Sequence, residues 1–579
     1  MKKILNTFLL FALITGALIA IGFSTGNTDR AVQPDKVKIN NPIKKVAEEI
    51  NLIKQNKTFD EVNLFTYNKN SQSVKNVKDI VKKSSTLLIK KNELNTLLKN
   101  PKENIVFRIP LSSNEYLEME LTRKNIFSSD ARFNTLSNSG KTPIAYTPGI
   151  FYKGIIKGDD KSVASVSIFE NMVVAVASDK SGNYVLGMTG NKTGFNQDYI
   201  LYNDRDLLVK NKFECKVDDY NSKFLKASKE AMNDIEKIKE NPYTATVPVK
   251  MYFEADYDMH QRYNLYPGHT YDVISAIFSS VQTLYQNEQI AIVISEVGVW
   301  TSVDPYASSN DSYEILLNFG GRSKDTFYGN LGHLLSTGHN QILGGIAWIN
   351  VLCVPFNSQD SSGRYAFSNI DTNYQGLPLY SWTVGVITHE IGHNIGSKHT
   401  HACAWPTSPG VIGAIDSCYN AEGNCFYYTQ PNYNGTIMSY CHLNGAVNFS
   451  LGFGPLPGDT IRFCYNNAPC LKRYINSSEL PVTFDLMQNF PNPFNPVTIL
   501  QYAIPKEAYV SIKIYDVTGK EITTLVNNQY YAVGVYDVSF NAANYSLASG
   551  VYFYKLIAND AIDVNKVVFT QVKKMVLTK

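Results

Sequence analysis

Residues 389–399 read HEIGHNIGSKH, and the spacing inside this stretch decides more than any other feature of the chain. His389 and His393 lie four residues apart, so on a helix both imidazoles leave one face and can meet a single ion. Glu390 stands beside them, placed to take a proton from a metal-activated water. Gly396 allows a sharp turn without a Cβ penalty, and that turn brings His399 back as a third nitrogen ligand. Three neutral imidazoles on one zinc ion leave a fourth position for water, the arrangement of a catalytic rather than a structural site. The chain has only nine histidines. A chance match to this spacing is on the order of one in a hundred thousand, so ordinary solvent-facing histidines are set aside.

Working outward, apolar residues predict a helix over Trp382 to Ile395. A strand is expected at Val247 to Phe253, and Val273, Ile274, Ile277, Val281 and Leu284 recur at helical spacing. Ile290 to Trp300 and Leu343 to Cys353 read as further strands. Strand, helix, strand, strand, helix is an α/β arrangement, a twisted mixed sheet with helices, assigned to 245–476. Before it, Ile43 to Ile53 has a helical apolar face. From Ile105 the pattern alternates as in strands, Tyr116 to Leu121 and Ala164 to Ile168 among them, which reads as a small β domain. Ser222 to Glu240 is charged and reads as an exposed helical connector. After Tyr474, the proline-punctuated segment 490–496 leads into short strands, including Val510 to Tyr515 and Gly550 to Leu556. Residues 484–579 are expected to form a β-sandwich.

At 579 residues the chain exceeds a single core. A net charge of +3 gives no reason to expect a nucleic-acid or membrane-surface partner. Lys2 and Lys3 precede an apolar run and then Ser24-Thr25-Gly26, the pattern of a secretory signal over 1–26, with no transmembrane anchor expected. Export permits disulfides, and seven of eight cysteines fall between Cys353 and Cys470. Cys215 stands apart. Its thiolate could fill the water position on zinc and silence the enzyme, or it could be a buried or paired thiol. Seven remaining cysteines leave two options: one mature thiol stands outside the disulfides, or Cys215 is paired.

HEIGHNIGSKH followed by Gly435-Thr436-Ile437-Met438-Ser439-Tyr440 resembles the metzincin zinc motif and its Met-turn. Leu343-Gly344-Gly345-Ile346-Ala347-Trp348 resembles the substrate-binding edge strand of the reprolysin (adamalysin) branch, with Gly345, Ile346 and Ala347 facing substrate. Phe151 to Gly154 through Val185 to Gly187 resembles a reprolysin propeptide, so 27–244 is expected to be a β-rich propeptide. The resemblance covers about 105–475. It implies a zinc endopeptidase made as a latent zymogen, acting on proteins or peptides, with one Zn2+, Glu390 as base and Met438 as the floor beneath the metal. A monomer is expected. In the astacin and serralysin branches a tyrosine two residues after the methionine reaches the zinc and then the oxyanion. Tyr440 has that spacing, and a packed core tyrosine is the alternative.

Two departures stand out. Thr400 replaces the Asp that usually follows the third histidine. Lys250 stands where an acidic ligand is usual, which speaks against the family's structural Ca2+. The segment 489–496, the Tyr515 to Lys520 turn, the Leu547 to Tyr552 strand entry and the basic end Lys573 to Lys579 resemble a type IX secretion sorting domain. That implies outer-membrane export by the type IX machinery, and a secreted or surface-attached product. A catalytically silent zinc-bound adhesin on the same scaffold is the competing class, and the presence of Glu390 speaks against it.

Overall fold

The computed structural model describes residues 44–578 apart from 70–77, 190–197, 209–214, 216, 218–246, 325, 340–343, 372, 375–376, 409–410, 426–433, 444–445, 472–482, 490–491, 532–533, 562 and 564–565. The secretory signal and the charged connector lie outside these residues. Among the described residues no helix is long and apolar enough to cross a membrane. The chain divides into two compact units after Leu471.

The first unit contains two large sheets. A ten-stranded sheet runs from Asp60–Val62 at one edge to Phe65–Tyr67 at the other. Its middle is an antiparallel meander from Ile150–Ile156 through Val163–Ile168, Val173–Asp179 and Gly182–Met188 to Asp198–Asn203. These central strands are buried along nearly their whole length, so the alternating serines Ser165 and Ser167 are buried along with the apolar residues.

The second sheet has seven strands and is mixed. Val249–Ala255 lies between Ile292–Trp300 and Leu331–Ser336, parallel to both. Tyr365–Asn369 continues the parallel set, and Gly344–Ala347 closes the edge antiparallel. The strand expected over Leu343 to Cys353 is therefore shorter than its sequence suggests. The backbone beyond Ala347 leaves the sheet for another task, described below.

The other side of this sheet departs from the sequence reading in kind. Phe127–Ser137, which the sequence assigns to the separate β domain, runs parallel to Ile292–Trp300, with Gly140–Pro143 paired outside it. Asn134 donates to Glu296 at 3.0 Å, and the Lys141 ammonium lies 2.8 Å from the same carboxylate. One buried apolar cluster joins Ile126, Phe151, Val174 and Ile200 to Met251, Ile277 and Ile391. The N-terminal strands and the α/β region thus share both a sheet and a core. Lys250 is engaged here: its ammonium lies 3.2 Å from both Asp130 carboxylate oxygens and 2.6 Å from the Tyr328 hydroxyl.

Two helices organise the site. Pro267–Asn287 packs against Tyr380–Asn394, and the Tyr285 hydroxyl donates to the Thr388 carbonyl at 2.9 Å. Both are buried on most sides, and small polar residues such as Ser275, Ser279, Thr383 and Thr388 are buried among their apolar ones.

The second unit holds a three-stranded and a four-stranded antiparallel sheet. Ala508–Tyr515 and Gly550–Asp560 pair in the four-stranded one. Leu500 and Tyr502 of one sheet share a buried cluster with Ile512, Tyr554 and Met575 of the other. At the turn after Tyr515, the Thr518 hydroxyl and the Lys520 amide both donate to Asp516, and Gly519 takes φ +83°.

Candidate metal centre

The helix Tyr380–Asn394 ends where the motif requires. Gly396 has φ +112°, and a Cβ there would meet Cys464 Sγ at 2.6 Å. Gly396 N donates to His393 O at 2.9 Å and Ser397 N to Gly392 O at 2.9 Å, which satisfies carbonyls that the helix end would otherwise strand. The segment after the edge strand also caps this end. Asn350 N donates to His393 O at 2.9 Å, while Val351 N and Leu352 N donate to Asn394 O at 2.9 and 3.1 Å. That capping role is why the edge strand stops at Ala347. Asn394 completes the tie through its side chain, donating to Trp348 O at 2.8 Å and Tyr365 O at 3.2 Å.

The three imidazoles converge. His389 Nε2, His393 Nε2 and His399 Nε2 are mutually 3.1 Å apart. Each Nδ1 faces an acceptor: Ile437 O at 2.9 Å, Ser397 O at 2.8 Å and a Glu422 carboxylate oxygen at 2.7 Å. A carbonyl or carboxylate cannot donate, so the protons belong on Nδ1 and the Nε2 lone pairs point at one another. Burial lowers the pKa of all three well below the usual histidine range, and mutual repulsion adds to it. Three converging lone pairs without a proton suit a cation. Nitrogens bound to zinc at about 2.0–2.1 Å stand roughly 3.3 Å apart, so the donor set fits zinc.

Cys215 completes a buried group of four, with Cys215 and the three histidines offering ligand atoms all within 4.8 Å of one another. Its Sγ lies 3.7 Å from His393 Nε2 and 3.8 Å from Glu390 Oε2. Cys215 and Cys464 stand outside the disulfides, which pair Cys353 with Cys470, Cys403 with Cys425 and Cys418 with Cys441. Of the two options left by the odd count, Cys464 is the extra thiol. Burial pushes it up to about 12, so it stays protonated at neutral pH.

Glu390 is fully buried, and burial drives its carboxyl well above the usual range while the Cys215 thiol opposes this. Its Oε1 has no hydrogen-bond partner among the described residues. A Cβ on Gly345 would run into this carboxylate, so the edge strand approaches it through a bare backbone. Ile346 and Ala347 are buried in the same edge.

Met438 is fully buried beneath the helix, and a Cβ on Gly392 would meet its Sδ at 2.7 Å. Tyr440 is buried against the rings of His399 and His401. Its hydroxyl donates to Cys215 O at 2.7 Å and accepts from Cys215 N at 3.0 Å. Thr400 is explained by a substitute carboxylate: its hydroxyl donates to Asp416, and its amide donates to Met438 O at 3.0 Å. Sequence reasoning did not find Asp416, Asn394 or Glu422. Their partners are 16 to 46 residues away, and no local spacing marks them.

Residues 245–450 match Metallo-peptidase family M12, and residues 488–570 match the secretion system C-terminal sorting domain. Among solved structures, metalloproteinase-II from Bacteroides fragilis is similar over 62% of this chain and 95% of that one, at 13% identity and a TM-score of 0.31. A catalytically inactive OgpA from Akkermansia muciniphila, solved with an O-glycopeptide substrate, is similar over 58% of this chain and 95% of its own. Its identity is 11% and its TM-score 0.19.

Proposed function

We propose that this chain, which carries an M12 metallopeptidase domain and a type IX secretion sorting domain, is made as a latent zinc endopeptidase silenced by Cys215. The observation that carries the reading is the buried group formed by Cys215, His389, His393 and His399. A zinc ion held there supplies Lewis acidity, which acidifies water and polarises a scissile carbonyl.

The residues divide the remaining work. The three histidines stay neutral because they are buried, and their Nδ1 bonds fix the ring orientations. Glu390 takes the proton of the attacking water and returns it to the leaving amine. The edge Gly344–Ala347 offers its backbone to an extended peptide, and Gly345 lets that backbone come close to Glu390. Met438 packs under Gly392 and supports the helix that presents two of the ligands.

In the latent form the Cys215 sulfur stands where water must sit, and the Tyr440 hydroxyl grips its backbone at both N and O. Removing the N-terminal region frees that hydroxyl, which then faces the reacting carbonyl as a donor. Residues 27–244 are the propeptide in this reading, with the activating cut between Lys226 and Thr246, outside the described residues. Its release requires Phe127–Ser137 to peel from Ile292–Trp300. The sorting domain directs export and surface attachment.

Zinc analysis with a peptide-library cleavage assay on processed protein tests the reading, with Glu390→Ala as the control. One zinc per chain is expected in both proteins, with turnover in the variant reduced by about 10²–10⁴-fold. Equal cleavage by both proteins would overturn the role of Glu390, and retained zinc without cleavage by either would favour the silent adhesin.

A further inference from the structure

The third histidine is held differently from the first two. His389 and His393 direct Nδ1 at backbone carbonyls, whereas His399 directs it at the Glu422 carboxylate, 2.7 Å away. The same oxygen lies 2.7 Å from His401 Nε2. The His401 ring stacks on His399 with centroids 4.9 Å apart and planes 8° from parallel. Both rings are buried, while the Glu422 side chain keeps 19% of its exposure.

The loop that delivers Glu422 is tied down on both sides. Cys403 N donates to Glu422 O at 2.9 Å and Glu422 N to His401 O at 3.1 Å. Three residues on, Cys425 is bonded to Cys403. His399 needs this support more than its partners do. It lies beyond the helix, so no helical backbone fixes its ring. A carboxylate is a stronger acceptor than a carbonyl, and it both locks the tautomer and raises the electron density at Nε2.

We propose that Glu422 is the positioning residue of the metal centre. It orients His399 as a ligand and strengthens the nitrogen that faces the metal, with His401 stacked behind to hold the pair in register. This rests on reading the three histidines as a zinc site. It also assigns a task to the Cys403–Cys425 disulfide, which fixes the loop that brings the carboxylate into place.

The test is zinc competition against a chelator of known affinity, using the full chain and its Glu422→Ala and Glu422→Gln variants. Glu422→Ala should hold zinc about 10–100-fold more weakly than wild type. Glu422→Gln keeps a neutral acceptor and should fall between them. In cobalt-substituted protein the visible absorption of both variants should shift, which a purely structural loop residue would not cause. If Glu422→Ala fails to fold, the Gln variant decides: zinc affinity within twofold of wild type and an unchanged cobalt spectrum overturn the proposal. A wild-type chain that takes up no zinc would instead sink the metal reading beneath it.

Discussion

Two stretches of the first unit meet at the candidate metal centre, and they are held there by different means. Residues 344–471 contain all three disulfides, and two of these lie beside the converging histidines: Cys403–Cys425 and Cys418–Cys441 close the loops behind His399 and beside Met438. Residues 44–217 contain none. Beside the shared sheet and core, individual hydrogen bonds tie them to that stretch, such as Tyr202 to Pro378 O at 2.6 Å, Asn183 to Val447 O at 2.7 Å and Ser178 to Asn448 at 2.7 Å. Cys215 itself is gripped through its backbone by Tyr440. One stretch is closed covalently around the ligands. The other is attached without a covalent link, by strand pairing, shared apolar packing and hydrogen bonds.

Breaking the covalent side should have the largest effect on stability. Replacing Cys403 and Cys425 by Ser removes a cross-link spanning 22 residues and should cost about 3 kcal/mol, read from denaturant unfolding. If the unfolding midpoint stays put, the stapled loop is not what distinguishes the two stretches. On the reversible side, Tyr440→Phe removes both bonds to the Cys215 backbone, at roughly 1 kcal/mol each. Uncleaved Tyr440→Phe should leak activity about tenfold above uncleaved wild type. The processed variant should lose turnover at nearly constant substrate affinity. Unchanged turnover would reduce Tyr440 to a latch alone.

The smallest effect concerns Asp204, which accepts from Asn183 at 2.7 Å and contacts Ser381 at the start of the helix Tyr380–Asn394. Burial raises its pKa from 3.8 to about 6, against the opposing pull of those bonds and of Arg205. A raised carboxylate pKa means the folded state holds the proton more tightly. Its contribution is therefore full below about pH 4 and lost as pH rises past about 6. Asp204→Asn should flatten the fall in melting temperature over that window. An unaltered slope would mean that Asp204 does not set it.

What the sequence made legible follows the range of the interactions. HEIGHNIGSKH was readable because His389, Glu390, His393 and Gly396 act within three helical turns. The helix Tyr380–Asn394, the strand Val249–Ala255 and the strand Ala508–Tyr515 were readable from their periodicity. The parallel pairing of Phe127–Ser137 with Ile292–Trp300 was not, because a strand's apolar pattern does not name a partner about 160 residues away. The early end of the edge strand at Ala347 was hidden for a related reason: the residues after it spend their amides on helix carbonyls. Glu422 was invisible because a disulfide-closed loop, not a helical repeat, delivers it.

The most direct test of the two-stretch account compares three proteins on one peptide substrate: uncleaved wild type, uncleaved Cys215→Ala and processed wild type. Uncleaved wild type should be silent. Uncleaved Cys215→Ala should cleave measurably while still retaining its N-terminal region on a gel, and processed wild type should be fastest. Uncleaved Cys215→Ala as silent as uncleaved wild type, with zinc bound in both, would contradict the role of Cys215 in latency.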